Sequence, residues 1–380
     1  MSTTLAPANA WPTKLLFVPP GLIFGSWAIR IPDIAHAAHV TTSTVGAALL
    51  VLALGTLLGM PAASAALTRF NTKPVAATVL ACTAASSLLL GGAGSAATLF
   101  IAAFLLGITS GIYSVTINTA AAHAEDRLSR PVLTGCYAAY SLATLAASII
   151  AGLAVGAALN PLAHLLVVNT VTLVALAGVF LIDNAPRPDA FRIPRPTSRK
   201  VWVAAAIGFA ALFGEGVITD WSAYFLRAEI LGSADARQAW GYTSFAICMV
   251  IGRSLGATLI ARIGERRLLL AAVVLGVVGG TAVAASPNLS VALIGYASAG
   301  LGLANLYPMT ISLAARAAAA HRQDAITSVS SIGYLGLLLG PATVGLCSSV
   351  ITLRGALLLP PLMLCAVALC IGTLVSHRRR

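Results

Sequence analysis

The sequence has little charge. Only 9% of its 380 residues are Asp, Glu, Lys or Arg, whereas 58% are hydrophobic and the mean hydropathy is +0.92. Soluble domains carry about 25% charged residues. This scarcity excludes a water-exposed globular domain and a disordered chain, and it indicates a surface that faces lipid. The net charge of +12 does not indicate nucleic-acid binding, because the cationic residues form short clusters between apolar stretches.

Patterns for binding nucleotides, metals or catalytic groups are also scarce. No GxGxxG fingerprint and no Walker loop occur, so transport would have to be driven by a gradient. The six cysteines are scattered without a CxxC pair, which favours buried apolar side chains over a redox or metal site. His36 and His39 lack a cluster of carboxylates or cysteines beside them. We therefore expect no cofactor, no metal, no nucleic-acid partner and no enzymatic activity.

Long apolar runs are abundant instead. In hydrocarbon each segment must pair its own backbone polar groups, so these runs indicate helices of about 20 residues. Short tails and loops leave no room for a soluble domain, which disfavours a sensor on a transporter scaffold. The pattern predicts an all-α membrane protein with twelve transmembrane helices, at approximately 11–34, 43–66, 75–93, 96–121, 133–158, 162–182, 201–228, 238–260, 268–286, 289–318, 325–350 and 355–376.

The distribution of cationic residues predicts the topology. Of the 23 Lys and Arg residues, 18 fall on the side of the N-terminus, 4 fall on the other side, and Arg253 falls within a helix. Loops on the cytoplasmic side carry the excess of Lys and Arg. We therefore expect both termini in the cytoplasm and a multi-pass protein of the bacterial inner membrane.

The sequence also divides into two similar halves. Residues 183–200 are rich in Pro and Arg and predict a cytoplasmic linker between two six-helix bundles, 1–182 and 201–380. A displacement of about 194 positions places Trp27 on Trp221 and Tyr113 on Tyr307. Parallel six-helix repeats are the architecture of one large transporter fold.

Short motifs carry a family resemblance. The stretch GATLIARIGERR (256–267) resembles the loop signature that the major facilitator superfamily has between the second and third helices of each half, with Ala261 at the acidic position. The first-half copy, ASAALTRFNTK (63–73), departs further. The segments FGSWAIRIP (24–32), DWSAYFLR (220–227) and GYLGLLLGPATVG (333–345) resemble the YbjJ-type branch, which is distantly related to the fucose permeases. The resemblance implies a monomer that transports a small-molecule solute by alternating access.

Ionisable residues inside spans are costly and therefore candidate functional residues. Glu215 lies near the middle of the seventh predicted span, where a carboxyl suits a group that takes up and releases a proton, although a structural role is the alternative. Asp220 is a second candidate for proton coupling. Arg30 and Asp220 are predicted to pair as an outer gate, with solvated helix ends as the alternative, and Asp33 is expected to be solvated. Arg253 and Arg262 are predicted to gate the inner side, although Arg253 is also compatible with packing against the 261–267 loop.

A solute path also needs neutral polar groups and aromatic faces. The resemblance places the first, fourth, seventh and tenth spans around the central path. The predicted solute-binding residues are Trp27, Tyr113, Asn118, Glu215, Trp221, Asn305 and Tyr307. The sequence thus predicts a proton-coupled transporter of a small polar organic solute. The alternative is a proton-driven efflux antiporter for drugs or metabolites, which is disfavoured because the glycine-proline pattern lies in the eleventh span and not in the fifth.

Overall fold

The computed structural model describes residues 10–129, 132–185, 198–318 and 321–369, without the side chains of Leu173 and Gln323. All regular secondary structure in these ranges is helical. Within the described residues, eleven helical segments are long and apolar enough to cross a membrane, which confirms a multi-helix membrane protein. A shorter apolar helix, Leu359–Ala368, begins where the twelfth span is predicted. The rest of that span lies outside the described residues, so the count of twelve stays a prediction.

The chain divides into two compact units. The first comprises Met1–Val40 and Val51–Phe191, and the second comprises Thr41–Leu50 and Arg192–Arg380. Residues 186–197, which include most of the predicted linker, lie outside the described residues. The exact domain boundaries therefore stay a prediction.

In the described part of the chain, seven helices begin before the predicted linker. They are α1 Trp11–Leu15, α2 Val18–Ala37, α3 Thr42–Arg69, α4 Thr72–Gly91, α5 Ala96–Leu128, α6 Leu133–Gly156 and α7 Pro161–Val179. Helices α1 and α2 form one span, and the first turns of α3 belong to the second unit. Within the first unit, α2 packs on α6 and α7, and α4 packs on α5 and α7.

Glycines let α3 and α5 approach to backbone contact. A Cβ on Gly107 would overlap the carbonyl oxygen of Leu52, and a Cβ on Gly111 would overlap that of Thr56. On the facing helix, a Cβ on Gly55 would lie 2.7 Å from the carbonyl oxygen of Phe104. Small residues four apart on each helix are what such close packing in membranes requires, because lipid supplies no hydrophobic force between helices.

We expect Gly107→Ala to destabilise the first unit. The helix propensity of alanine favours the change by about 1 kcal/mol. Separating two helices in backbone contact costs about 1–3 kcal/mol, so the net effect is destabilising. The thermal unfolding midpoint in detergent measures it. Gly94→Ala is the matched control because a Cβ there meets no atom within 4 Å, and equal midpoints for the two variants would contradict the role of this contact.

The second unit contains the remaining helices. They are α8 Arg199–Phe225, a π-helical turn Leu226–Leu231, a 3₁₀ turn Ala236–Ala239, α9 Trp240–Ile263, α10 Glu265–Ala284, α11 Leu289–Leu303, α12 Leu306–Ala317, α13 Arg322–Ala356 and α14 Leu359–Ala368. Helix α8 is central to this unit, since it packs on α9, α12, α13 and α14. Residues on α8 therefore have neighbours on most other helices of the unit.

Arg354 ties several helix ends of the second unit together. Its Nε donates to Glu229 Oε2 at 2.8 Å, and its Nη1 donates to the carbonyl oxygens of Ser286 and Ala284 at 2.8 and 3.1 Å. Its guanidinium carbon lies 5.3 Å from the centre of the Phe225 ring, within cation–π range. The donors of this arginine are thus largely satisfied at the ends of the helices.

Candidate functional site

Glu215 and Arg253 face each other within the second unit. The Nη2 of Arg253 lies 3.6 Å from Oε1 of Glu215. Glu215 lies about 24 Å along α8 from its first residue, at 1.5 Å rise per residue. The two side chains remain 24% and 43% exposed for Glu215 and Arg253. Glu215 and Arg253, which the sequence predicts to have different roles, therefore form one charged pair within α8 and α9.

A proline explains the other contact of Arg253. Pro308 has no N–H, so the carbonyl of Ala304, four residues earlier, lacks its helical donor. The Nε of Arg253 donates to this oxygen at 3.4 Å. Pro308 lies in the first turn of α12, just after the break that separates α11 from α12. The break thus supplies a backbone acceptor at the level of the charged pair.

Asn305, in the same break, is fixed on the backbone of α9. Its Nδ2 donates to the carbonyl oxygen of Gly252 at 2.7 Å. A Cβ on Gly256 would overlap the Oδ1 of Asn305, so this glycine makes room for the amide. The predicted solute-binding residue Asn305 therefore adjoins the charged pair, since Gly252 and Arg253 are neighbours in the chain.

We expect Gly256→Ala to displace the Asn305 amide and to cost about 1–3 kcal/mol of stability, as overpacking does. The same substitution in an Asn305→Ala background meets no amide and should cost much less. A double-mutant cycle on thermal unfolding midpoints measures this coupling. An equal cost of Gly256→Ala in both backgrounds would show that the amide does not occupy this place.

Asp220 differs from Glu215 in having no partner among the residues that the structure describes. It is half-buried in α8, and within the described ranges it forms no hydrogen bond or ion pair. The neighbouring Trp221 is fully buried and donates its indole N–H to the carbonyl oxygen of Pro341 at 2.8 Å. Asp220 is therefore a partly exposed carboxyl next to a rigid aromatic contact.

In the first unit, a second proline break involves Tyr113. Pro20 leaves the carbonyl of Leu16 without its helical donor, between α1 and α2. The hydroxyl of Tyr113 donates to this oxygen at 2.9 Å. Tyr113 is 1% exposed and Trp27 is 3% exposed, so neither predicted solute-binding side chain is accessible in this structure.

Asn118 belongs to a more open group beside that break. The hydroxyl of Tyr137 donates to Oδ1 of Asn118 at 2.9 Å. The ring of Tyr137 meets the ring of Phe17 edge to face, with centroids 5.5 Å apart. Tyr137 is 43% exposed, so this group presents an aromatic face and a polar edge. Sequence reasoning identified Asn118 and missed Tyr137 and Phe17.

Arg30 is buried and paired within the first unit. Its Nη1 lies 2.9 Å from Oδ2 of Asp33, and its Nε donates to Nδ1 of His164 at 3.3 Å. Arg30 is 2% exposed and His164 is 1% exposed. The expectation that Asp33 is solvated is wrong, because its carboxylate balances the charge of Arg30 and is only 13% exposed. A gating pair of Arg30 with Asp220 stays a prediction.

The signature loop contains an ion pair that the sequence did not indicate. Oε1 of Glu265 lies 2.6 Å from Nη2 of Arg316 on α12. Arg262, predicted to gate, is exposed and has no hydrogen bond or ion pair within the described part of the chain. Glu265 thus supplies the carboxylate that Ala261, at the usual acidic position, does not.

Tyr307 packs between helices of the second unit. Its ring lies close to Gly208 of α8 and Gly333 of α13, and a Cβ on Gly333 would be 2.9 Å from its Cε2. Tyr307 is half-buried, and Trp221 is 0% exposed. Their solute-binding roles stay predictions. The structure thus brings Glu215, Arg253 and Asn305 together in one place.

A family of known proteins and two individual relatives match this chain over most of its length. The sequence profile described as Major Facilitator Superfamily matches residues 21–228 and 204–380. The uncharacterized transporter y4wD of Sinorhizobium fredii (strain NBRC 101917 / NGR234) is 28% identical over 345 residues, which are 89% of this chain and 90% of that protein. The uncharacterized MFS-type transporter YPO1221/y2967 of Yersinia pestis is 27% identical over 365 residues, 94% of this chain and 93% of the relative.

A solved structure is similar in fold. It is the crystal structure of a bacterial homolog to the human lysosomal transporter Spinster, in an inward-facing and occupied conformation. It aligns with a TM-score of 0.79 at 14% identity and covers 96% of each chain. At this identity the similarity concerns the fold.

Proposed function

We propose that this chain, which belongs to the Major Facilitator Superfamily, is a secondary active transporter that moves a small polar organic solute across the bacterial inner membrane by alternating access, coupled to protons. Transporters of this type are among its relatives, and its helices are of membrane-spanning length. The observation that carries the proposal is the charged pair of Glu215 and Arg253 within α8 and α9.

The cost of the pair is the reason to assign it a function. Each charge in the middle of a span costs about 2.5–3.5 kcal/mol on the insertion scale. A pair with full hydrogen bonding would recover part of this cost, but the distance of 3.6 Å is too long for a hydrogen bond. A loose pair with both members partly exposed can exchange its partners. Protonation of Glu215 would remove one charge and free Arg253, which is the differential binding that a coupled transporter needs.

The remaining predicted residues would bind the solute or form the gates. We propose that Asn118, Asn305 and Tyr307 contribute polar contacts to the solute. Trp27, Tyr113 and Trp221 would contribute in another state of the cycle, because they are buried in this structure. The proposed gates are Arg30 with Asp220 on the outer side and Arg253 with Arg262 on the inner side.

A second function has one observation in its favour. Asp220 is a partly exposed carboxyl without a protein partner in the described ranges. Such a group binds either a proton or a cationic solute, and that competition is the basis of a proton-driven efflux antiporter for drugs or metabolites. In that case Asp220, and not Glu215, would be the coupling residue.

Ligand screening followed by reconstitution tests the proposal. Sugars, amino acids, nucleosides and cationic drugs are first screened for a rise in unfolding temperature at two pH values, since a ligand that binds the folded state stabilises it. Proteoliposomes are then loaded to impose a pH gradient. Accumulation of a polar solute with an inward proton gradient, and not without it, supports the proposal. Accumulation that is indifferent to the gradient, or lipophilic cations as the sole ligands, would contradict it.

A further inference from the structure

We infer that Arg253 is the anchor for a carboxylate of the transported solute, so that the solute is a small organic acid. The inference rests on the proposed function and specifies its substrate class. It starts from the hydrogen-bonding capacity of one side chain. A guanidinium has five N–H donors. Arg253 uses one of them at 3.4 Å, on the carbonyl oxygen of Ala304, and its approach to Glu215 is 3.6 Å.

Two other arginines of this chain make closer contacts to their carboxylate partners than Arg253 does. Arg30 is 2% exposed and lies 2.9 Å from its carboxylate partner Asp33. Arg354 makes contacts of 2.8 Å to a carboxylate and to a carbonyl oxygen at the helix ends. Arg253 has longer contacts than either, and its side chain is 43% exposed. Within the described part of the chain it has no further partner, so most of its donors are available.

The chemistry of these donors selects the ligand. The planar fork of a guanidinium matches a carboxylate in a bidentate arrangement, and such charge-assisted bonds are about twice as strong as neutral ones. A hydroxyl offers a single acceptor oxygen and carries no charge. An ammonium group would be repelled by Arg253, and it would have to displace Arg253 from Glu215. The available group therefore favours an acid over a polyol or an amine.

Glu215 explains how an acid would be coupled to a proton. While Glu215 is ionised, it competes with the solute for Arg253. A proton from solution that binds the Glu215 carboxylate removes this competitor, and the solute carboxylate takes its place on Arg253. The proton and the anion then cross together with no net charge. On the other side, departure of the acid lets Glu215 release its proton and return to Arg253.

Matched sets of small molecules test the inference. Each set keeps the carbon chain and changes its terminal groups, at one end in the first two sets and at both ends in the third: gluconate, sorbitol and glucamine; lactate, propylene glycol and isopropanolamine; succinate, butanediol and putrescine. Binding to the purified protein is read as a rise in unfolding temperature. Phenylglyoxal modification of Arg253, read by mass spectrometry of its peptide, gives a site-specific signal, and acetate serves as the minimal carboxylate probe.

We expect the acids alone to stabilise the protein and to protect Arg253 from phenylglyoxal. Arg253→Gln should weaken acid binding about 10- to 100-fold, in line with the loss of a charge-assisted contact. Arg253→Lys should retain part of the binding, because it keeps the charge and loses the fork. Glu215→Gln should bind the acid at least as tightly as the unmodified protein, because the competing carboxylate is gone.

Several results would overturn the inference. Stabilisation by the alcohol or amine members in place of the acids would show that Arg253 does not select a carboxylate. Acid binding that is unchanged in Arg253→Gln would place the carboxylate elsewhere. Failure of every acid, acetate included, to protect Arg253 would show that the guanidinium is not available. The protection measurement needs no variant, so it holds even if Arg253→Gln does not fold.

The same experiments separate this inference from the proposed function. Binding and protection are measured without a gradient. Acid-specific binding without gradient-driven uptake would contradict proton-coupled transport and leave the carboxylate site standing. Gradient-driven uptake of sorbitol or glucamine would leave proton-coupled transport standing and overturn the carboxylate site.

Discussion

Replacing Glu215 by Gln should abolish the accumulation of solute that an imposed pH gradient drives, while exchange of solute between the two sides of the membrane continues. Gln has nearly the size of Glu and keeps a carbonyl oxygen that Arg253 can approach, but it cannot bind and release a proton. The loaded protein would still change between its two states, because the competing charge is absent. Proteoliposome uptake with and without a gradient, alongside counterflow, measures the two activities separately.

The control for this prediction is Glu229→Gln. Glu229 lies in the π-helical turn and contacts Arg354, so the substitution makes the same chemical change away from the charged pair. Arg354 keeps its carbonyl acceptors, and we expect gradient-driven accumulation to remain. Undiminished accumulation in Glu215→Gln would exclude Glu215 as the coupling residue. Loss of accumulation in Asp220→Asn instead would favour the antiporter alternative.

The membrane fold could be predicted because lipid imposes a simple constraint. Uninterrupted apolar runs must be helices, and eleven of the predicted spans reappear as helical segments of spanning length. The breaks inside two of these spans were not predicted. Pro20 and Pro308 each leave a carbonyl without a donor, which is visible in the sequence, but the residues that use these carbonyls, Tyr113 and Arg253, come from other helices. Sequence periodicity does not show such partners.

The site could be predicted only in part, for a similar reason. The position of Glu215 in its span indicated a functional carboxyl, and the i,i+3 spacing of Arg30 and Asp33 was a signal for their pairing that sequence reasoning did not use. The contact of Arg30 with His164 spans 134 positions and leaves no local signal. Arg253 was placed towards the inner side by counting residues, whereas its contact with Glu215 depends on how α8 and α9 pack.

The internal repeat shows which residues of the first unit correspond to the charged pair and its neighbours. The displacement of about 194 positions that superposes the tryptophans also brings Gly59 onto Arg253 and Gly111 onto Asn305. In the first unit these positions are glycines at the close contact of α3 and α5. In the second unit the same positions carry a guanidinium and an amide. The repeat preserves the helix crossing and replaces its tight apolar contact by polar groups in one half alone.

Asp33→Asn should destabilise the first unit by about 3–5 kcal/mol, the cost of leaving a buried charge without its partner. Arg30 is 2% exposed, and its other contact is the neutral acceptor of His164, so no second carboxylate in the described part of the unit replaces Asp33. The unfolding midpoint in detergent, under conditions of reversible denaturation, measures the loss. Asp235→Asn is the matched control, because that carboxylate caps an exposed turn.

Removing both charges should restore stability that Asp33→Asn alone loses. In the double variant Arg30→Met with Asp33→Asn, no buried charge remains, and an apolar side chain of similar length fills the space of the arginine. Replacement of a buried ion pair by apolar residues is often neutral or stabilising. We therefore expect the double variant to be more stable than Asp33→Asn alone, and a double-mutant cycle gives the coupling. Additive losses in the two single variants would show that Arg30 and Asp33 do not depend on each other, and the first unit would then owe its stability to other contacts.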